Sequence, residues 1–141
     1  PTLIPGQEIT GEDLFSQTAI TYPECYRNEM TGEFLKIILE DVADNLFNPD
    51  PYFQQGGDMV RVGGMGYAID ITKPIGNRIS NMTLLETGEP IEANKSYTVG
   101  GWASVNEETT GPAIYNVISD YLRKVKVVNI PENKNIQVTG V

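Results

Sequence analysis

The side chains that carry most enzymatic chemistry are scarce in this sequence. There is no histidine, which removes the commonest general base and metal ligand. Cys25 is the single cysteine, so neither an internal disulfide nor a thiolate zinc site can form. It lies between Glu24 and Tyr26, and an anionic neighbour disfavours a thiolate, so Cys25 reads as structural. Glu33, Glu40, Asp41 and Asp44 are near neighbours on one helical segment and could be taken for metal ligands. Nothing nearby completes such a site, and they read as a solvated face. Gly63-Gly64-Met65-Gly66 lacks the Lys-Ser/Thr end of a phosphate loop, and no helix follows it. One stretch suits recognition better than bond breaking: "NPDPYFQQGGDMVRVGG", residues 48–64. Two prolines precede an aromatic pair, two glutamines and two glycines, in either a plain connection or a surface shaped to touch something.

The elements that must position this stretch follow from periodicity and punctuation. Thr10 with Asp13 three residues on has the form of a capped helix start, for a short helix to about Gln17. Residues 19–22 are apolar and β-favouring, and Pro23 closes them. After Thr31, Phe34, Leu35, Ile38, Leu39, Val42 and Leu46 form one apolar stripe of a long helix. Asn48-Pro49-Asp50-Pro51 stops it, because a residue before proline avoids the helical region. Residues 59–62 and 67–71 read as strands broken by the glycine cluster. Residues 78–85 form another, and Thr87-Gly88-Glu89-Pro90 turns that one toward a strand at 96–101. A second long helix starts near Gly111-Pro112, with proline in the first turn. Ile114, Val117, Ile118, Tyr121, Leu122 and Val125 make its stripe, expected to be buried. A short strand at 136–139 ends the chain. Tight strand-to-strand connections among helices favour an α+β class: a single domain with a mixed sheet and two main amphipathic helices.

Composition narrows function further. Hydrophobic content of 40% with 21% charged residues is ordinary for a globular domain, and 141 residues suit one core. A formal charge of −9 argues against nucleic-acid binding. Arg123, Lys124 and Lys126 suit a solvated last helical turn. No run of about 18 apolar residues offers a membrane span. The chain opens on Pro1 with no leader-like segment, so an excised piece of a longer protein is expected.

Read together, the motifs resemble a known family. "TYPECYRNEMTGEFLKIILEDVADNLFNPDPYFQQGGDMVRVGGMGYAID" and "GNRISNMTLLETGEPIEANKSYTVGGWASV" resemble the C-terminal domain of the SoxB thiosulfohydrolases of bacterial sulfur oxidation. The "MTG" helix start, the "G-R-I" strand and the "G-x-P-I-x-x-x-K-x-Y-T-V" hairpin are similar to 5′-nucleotidase C-terminal domains more broadly. The resemblance implies that residues 1–141 are the second half of a two-domain enzyme. An N-terminal metallophosphoesterase-type domain would hold two manganese ions through His, Asp and Asn, and this domain would cover that site. The family's arginine-bearing "G-R" segment, expected just before the position of Pro1, lies outside this sequence. The implied partner is a SoxYZ-type sulfur carrier with a cysteine-bearing C-terminal arm, and the implied compartment is the periplasm, with no nucleic-acid or membrane partner.

In the nucleotidases of this family, two aromatic side chains stack on the base. One comes from the segment matching residues 52–57, and the other from the loop after the "YTV" strand, where this chain has Trp102. That loop reads "GGWASVNEETTGPAIY" instead of the nucleotidase "GGDGY", which favours the SoxB substrate over a nucleotide. The substrate this resemblance implies is a sulfonate group on the cysteine of the carrier arm, and the implied site is then a channel for that arm. Tyr52 and Phe53 would wall it, and Gln54 and Gln55 would hydrogen-bond an extended peptide. Gly56 and Gly57 would allow close approach and expose N–H groups. Trp102 would meet the arm, and Arg61, less so Arg78, would attract the sulfonate; both arginines equally suit exposed strand positions. Alternatively, Tyr52 and Phe53 are core residues and the glycines make a turn. Two further functions stay open: the equivalent domain of a 5′-nucleotidase-like phosphohydrolase, and a stand-alone protein-binding module for a carrier protein.

Overall fold

In the computed structural model the residues described are 3–18, 21–104, 109–129 and 132–140. The element order is α1 (Gly11–Gln17), β1 (Tyr26–Thr31), α2 (Gly32–Phe47), a 3₁₀ turn (Pro51–Phe53), β2 (Met65–Asp70), β3 (Ile79–Leu84), β4 (Ser96–Gly101), α3 (Ile114–Val125) and β5 (Ile136–Thr139). This is an α+β arrangement, as expected from the interspersed patterns. The sheet β3-β2-β5 is mixed: β2 runs antiparallel to β3 and parallel to β5. A second sheet holds β1 and β4. No helix among the described residues is long and apolar enough to cross a membrane.

The chain gathers into two compact units, Pro1–Glu29 with Thr98–Ile130, and Met30–Tyr97 with Pro131–Val141. The second unit holds the buried apolar cluster of Leu39 and Ala43 from α2, Tyr67 and Ile69 from β2, and Ile79 and Met82 from β3. Alternation explains β2, where Tyr67 and Ile69 share the buried face. Gly66 is required by crowding: a Cβ there would sit 2.7 Å from the Asn135 carbonyl oxygen, just ahead of β5. Thr31 starts α2 by accepting the Phe34 N–H on its hydroxyl.

The first unit is built on local pairings. Thr10 and Asp13 form a complete capping box at α1, each side chain accepting the other residue's backbone N–H. Cys25 N–H donates to Pro112 O, and Ile114 N–H donates to Pro23 O. The rings of Phe15 and Tyr115 lie 4.8 Å apart at 48°.

Several expectations are corrected. Ala19 and Ile20 fall outside the described residues, and Tyr22 lies in a bend; the strand of this region is β1, further along. Residues 59–62 belong to no strand, and β2 begins only at Met65. The turn at 87–90 closes a short return, with Ile91 N–H donating to Met82 O, while β4 pairs with β1 instead of β3. Pro112 precedes the N-cap Ala113 of α3 and is not in its first turn. Phe34 of the α2 stripe and Val117 and Tyr121 of the α3 stripe, expected to be buried, are exposed, whereas Glu40, expected on a solvated face, is 3% exposed. Its carboxylate accepts the N–H of Gly76 at 2.8 Å and of Ile79 at 2.7 Å. Arg78, expected on a surface, is 1% exposed and bound to Asp44.

Candidate functional site

The candidate site grows from the end of α2. Asn48 leaves the helical region at φ −62°, ψ 133°, as the following proline demands, while its N–H still closes the last turn on Asp44 O. Its side chain works in both directions. Nδ2 donates to Asp44 Oδ2 at 2.7 Å, and Oδ1 accepts the Asp50 N–H at 3.0 Å. Asp50 then caps the 3₁₀ turn, its Oδ1 accepting the Tyr52 N–H at 2.9 Å.

This turn presents two aromatic rings to solvent. Tyr52 is 86% exposed and Phe53 55%, so neither is a core residue. The rings meet edge to face, with centroids 5.4 Å apart at 88°. Gln54 donates its side-chain amide to Asn48 O at 2.7 Å, so one of its two amide donors holds the loop. Gln55 is exposed. Gly56 and Gly57 have φ +80° and +99°, which requires glycine or a strained substitute. The Gly56 N–H donates to Asn45 O and is therefore committed within the chain. Arg61 is exposed and outside any strand.

Trp102 belongs to the other unit, directly after β4, and is 47% exposed. Residues 105–108 of its loop lie outside the described residues. The first unit also has an open cleft of about 610 Å³ lined by Cys25, Tyr26, Arg27, Thr110, Gly111 and Val117 among others; none of the expected site residues lines it. Burial pushes the Cys25 thiol up, away from the reactive thiolate.

Behind the aromatic loop stands a charged support that sequence reasoning missed. Arg78 donates from Nη1 to Asp44 Oδ1 at 2.7 Å and from Nη2 to Phe47 O at 3.0 Å. Its buried Nε has no partner among the described residues. The Arg78 hydrogen bond, then that of Asn48, holds the Asp44 carboxyl below the usual carboxylate range. The available sequence signal was the pairing of Asp44 and Asn48, four residues apart at a proline-stopped helix end. Among the described residues, no group of three or more His, Cys, Asp or Glu could hold a metal ion.

The family model described as "5′-nucleotidase, C-terminal domain" matches residues 2–111. Among solved structures, the chain is similar to the sulfate thiohydrolase SoxB of Thermus thermophilus, solved with glycerol: 34% identity, TM-score 0.85, 99% of this chain and 27% of that one. It also resembles a 5′-nucleotidase precursor from Thermus thermophilus at 20% identity and TM-score 0.66, covering 92% of this chain and 28% of that one. The NAD nucleotidase of Haemophilus influenzae follows at 19% identity and TM-score 0.65, with 94% and 27% covered. The last two likenesses concern fold alone. The chain thus spans little more than a quarter of each relative's length. No curated protein matched the chain.

Proposed function

The chain belongs to the family of 5′-nucleotidase C-terminal domains, and from that membership we propose that it is the substrate-covering domain of a periplasmic thiosulfohydrolase. The observation that carries this reading is the 34% identity to SoxB over 99% of the chain, against 19–20% for the nucleotidases. In the proposed reaction, water cleaves the bond between a carrier-cysteine sulfur and its sulfonate. The water oxygen bonds to the sulfonate sulfur as the sulfur–sulfur bond breaks; the carrier sulfur takes one of the water protons, the other passes to solvent, and the sulfonate leaves as sulfate. The residues of this chain do not fit the two manganese ions that the resemblance places in an N-terminal domain, for there is no histidine and no clustered ligand set among the described residues. Its own part is recognition: Tyr52, Phe53, Gln54, Gln55, Gly56, Gly57, Trp102 and Arg61 are the proposed contacts for the arm of a SoxYZ-type carrier. The exposure of Tyr52, Phe53 and Trp102 supports that role.

One observation favours a second reading, a 5′-nucleotidase-like phosphohydrolase: exposed aromatic faces can also stack on a base. Two measurements on the full-length enzyme separate them. Gln55→Ala and Trp102→Ala should each lower kcat/KM for carrier-bound sulfonate by about tenfold, the usual cost of losing a good interface contact. Calorimetry with AMP should show no micromolar binding. Micromolar AMP affinity, with both variants turning over carrier substrate like the parent, would promote the nucleotidase reading. Gly57→Val is a poor probe of channel width, because φ +99° strains any branched residue whatever the space.

A further inference from the structure

The geometry points to Asn48 as a positioning residue that sets the aromatic pair Tyr52–Phe53 from the ion pair of buried Arg78 with half-buried Asp44. This deepens the proposed carrier-recognition function and rests on it. The hydrogen bonds form one unbroken series. Arg78 Nη1 donates to Asp44 Oδ1 at 2.7 Å; Asn48 Nδ2 donates to Asp44 Oδ2 at 2.7 Å. The N–H of Asp50 then donates to Asn48 Oδ1 at 3.0 Å, and that of Tyr52 to Asp50 Oδ1 at 2.9 Å. Two further bonds close the loop on the same helix end, Gln54 Nε2 to Asn48 O and Gly56 N–H to Asn45 O.

The burial gradient gives this series its meaning. Arg78 is 1% exposed and is also bonded to Phe47 O, so its end cannot shift without disturbing the core. Asn48 is half-buried, while every residue from Pro49 to Asp58 is exposed. Rings this exposed have little packing beyond each other to fix them, so their direction depends on the backbone beneath. Asn48 joins the fixed end to the exposed turn through both its side-chain donor and its side-chain acceptor. An aspartate at 48 would lack the donor and face the Asp44 carboxylate. An alanine would cut the series while leaving α2, Arg78 and Asp44 in place.

The test uses the full-length enzyme with Asn48→Ala, Tyr52→Ala and the double variant. Hydrogen exchange read by mass spectrometry should show faster deuterium uptake in the peptide covering 49–57 of Asn48→Ala, with peptides covering 65–70 and 79–84 unchanged. KM for carrier-bound substrate should rise roughly tenfold, the scale expected when a supporting residue lets a contact drift, with kcat and metal content unchanged. The double variant should lose less than the sum of the two single losses, as changes acting through a shared contact are not additive. Unchanged exchange in the 49–57 peptide overturns the inference. So does faster exchange with parental KM in an enzyme where Tyr52→Ala does raise KM. If Tyr52→Ala itself leaves KM unchanged, the carrier reading of the rings fails, and the exchange result alone decides whether Asn48 positions the loop.

Discussion

Asp44 divides its carboxylate between a buried cation and a loop amide, one oxygen to each. Its folded pKa is lowered by these bonds, as those of Asp13 and Asp70 are by bonds from Thr10 and Thr72. For such groups the stability contribution is fully present above the unfolded carboxylate value, near about 4. It is lost as pH falls through the lower folded values. The melting temperature is therefore expected to be flat from neutral pH down to about 5 as far as these groups are concerned, and to drop below about 4. Asp44→Asn should melt lower than the parent at pH 7, with the gap narrowing toward pH 2. A parallel pair of melting curves across that range would show that Asp44 contributes nothing through its charge. Only the Asn48 partner of Asp44, four residues on, could be seen in sequence. On the helical repeat Asp44 and Glu40 fall among polar neighbours, and their other partners lie 34 to 39 residues away. The exposure of Tyr52 and Phe53 was closer to hand, since a proline-flanked aromatic pair with amides and glycines has little apolar surface around it to bury against.

At the scale of elements, legibility followed local determinants. Thr10 and Thr31 start their helices by side-chain bonds within three residues, and Asn48-Pro49 stops one, so α1 and α2 were readable. The segment β1 reads Tyr-Arg-Asn-Glu-Met-Thr, too polar to show a strand, and owes its conformation to pairing with β4. Residues 59–62 have β-favouring composition but pair with no strand, and composition alone cannot supply a partner. The β2–β3 connection shows how a helix can hold a hairpin. Glu40 accepts N–H groups from Gly76 and Ile79, bridging α2 to the turn before β3. In Glu40→Ala the exposed Gly76 amide can turn to water, whereas the Ile79 amide, on a residue 1% exposed, cannot. The expected loss is therefore that of one unsatisfied buried donor, about 1–3 kcal/mol, not of two. Urea unfolding with a change in midpoint and a constant m-value would measure it; a loss under about 0.5 kcal/mol would mean that water reaches both amides.

For the whole molecule, the α+β class and mixed sheet were readable because strand segments alternate with two long apolar-striped helices. The division into two units was not, since each unit joins segments distant in sequence. Chemistry at this scale is decided by what the chain contains. Hydrolytic metal sites need several convergent His, Asp or Cys ligands; this chain has no histidine and one cysteine, whose thiol is pushed up by burial. Its 19 acidic residues could bind divalent ions only where they cluster, and among the described residues no such group occurs. Glu40 and Asp44, the two acids that turn inward from α2, are occupied by backbone amides, Arg78 and Asn48. A carboxylate already satisfied by two donors gains little from a cation that must displace them. The isolated 141-residue chain, incubated with excess manganese and dialysed, is accordingly expected to retain no stoichiometric metal by elemental analysis and to hydrolyse neither carrier-bound sulfonate nor AMP. One tightly held transition-metal ion per chain, or turnover that survives repurification, would place catalytic chemistry in this domain and overturn its assignment to recognition alone.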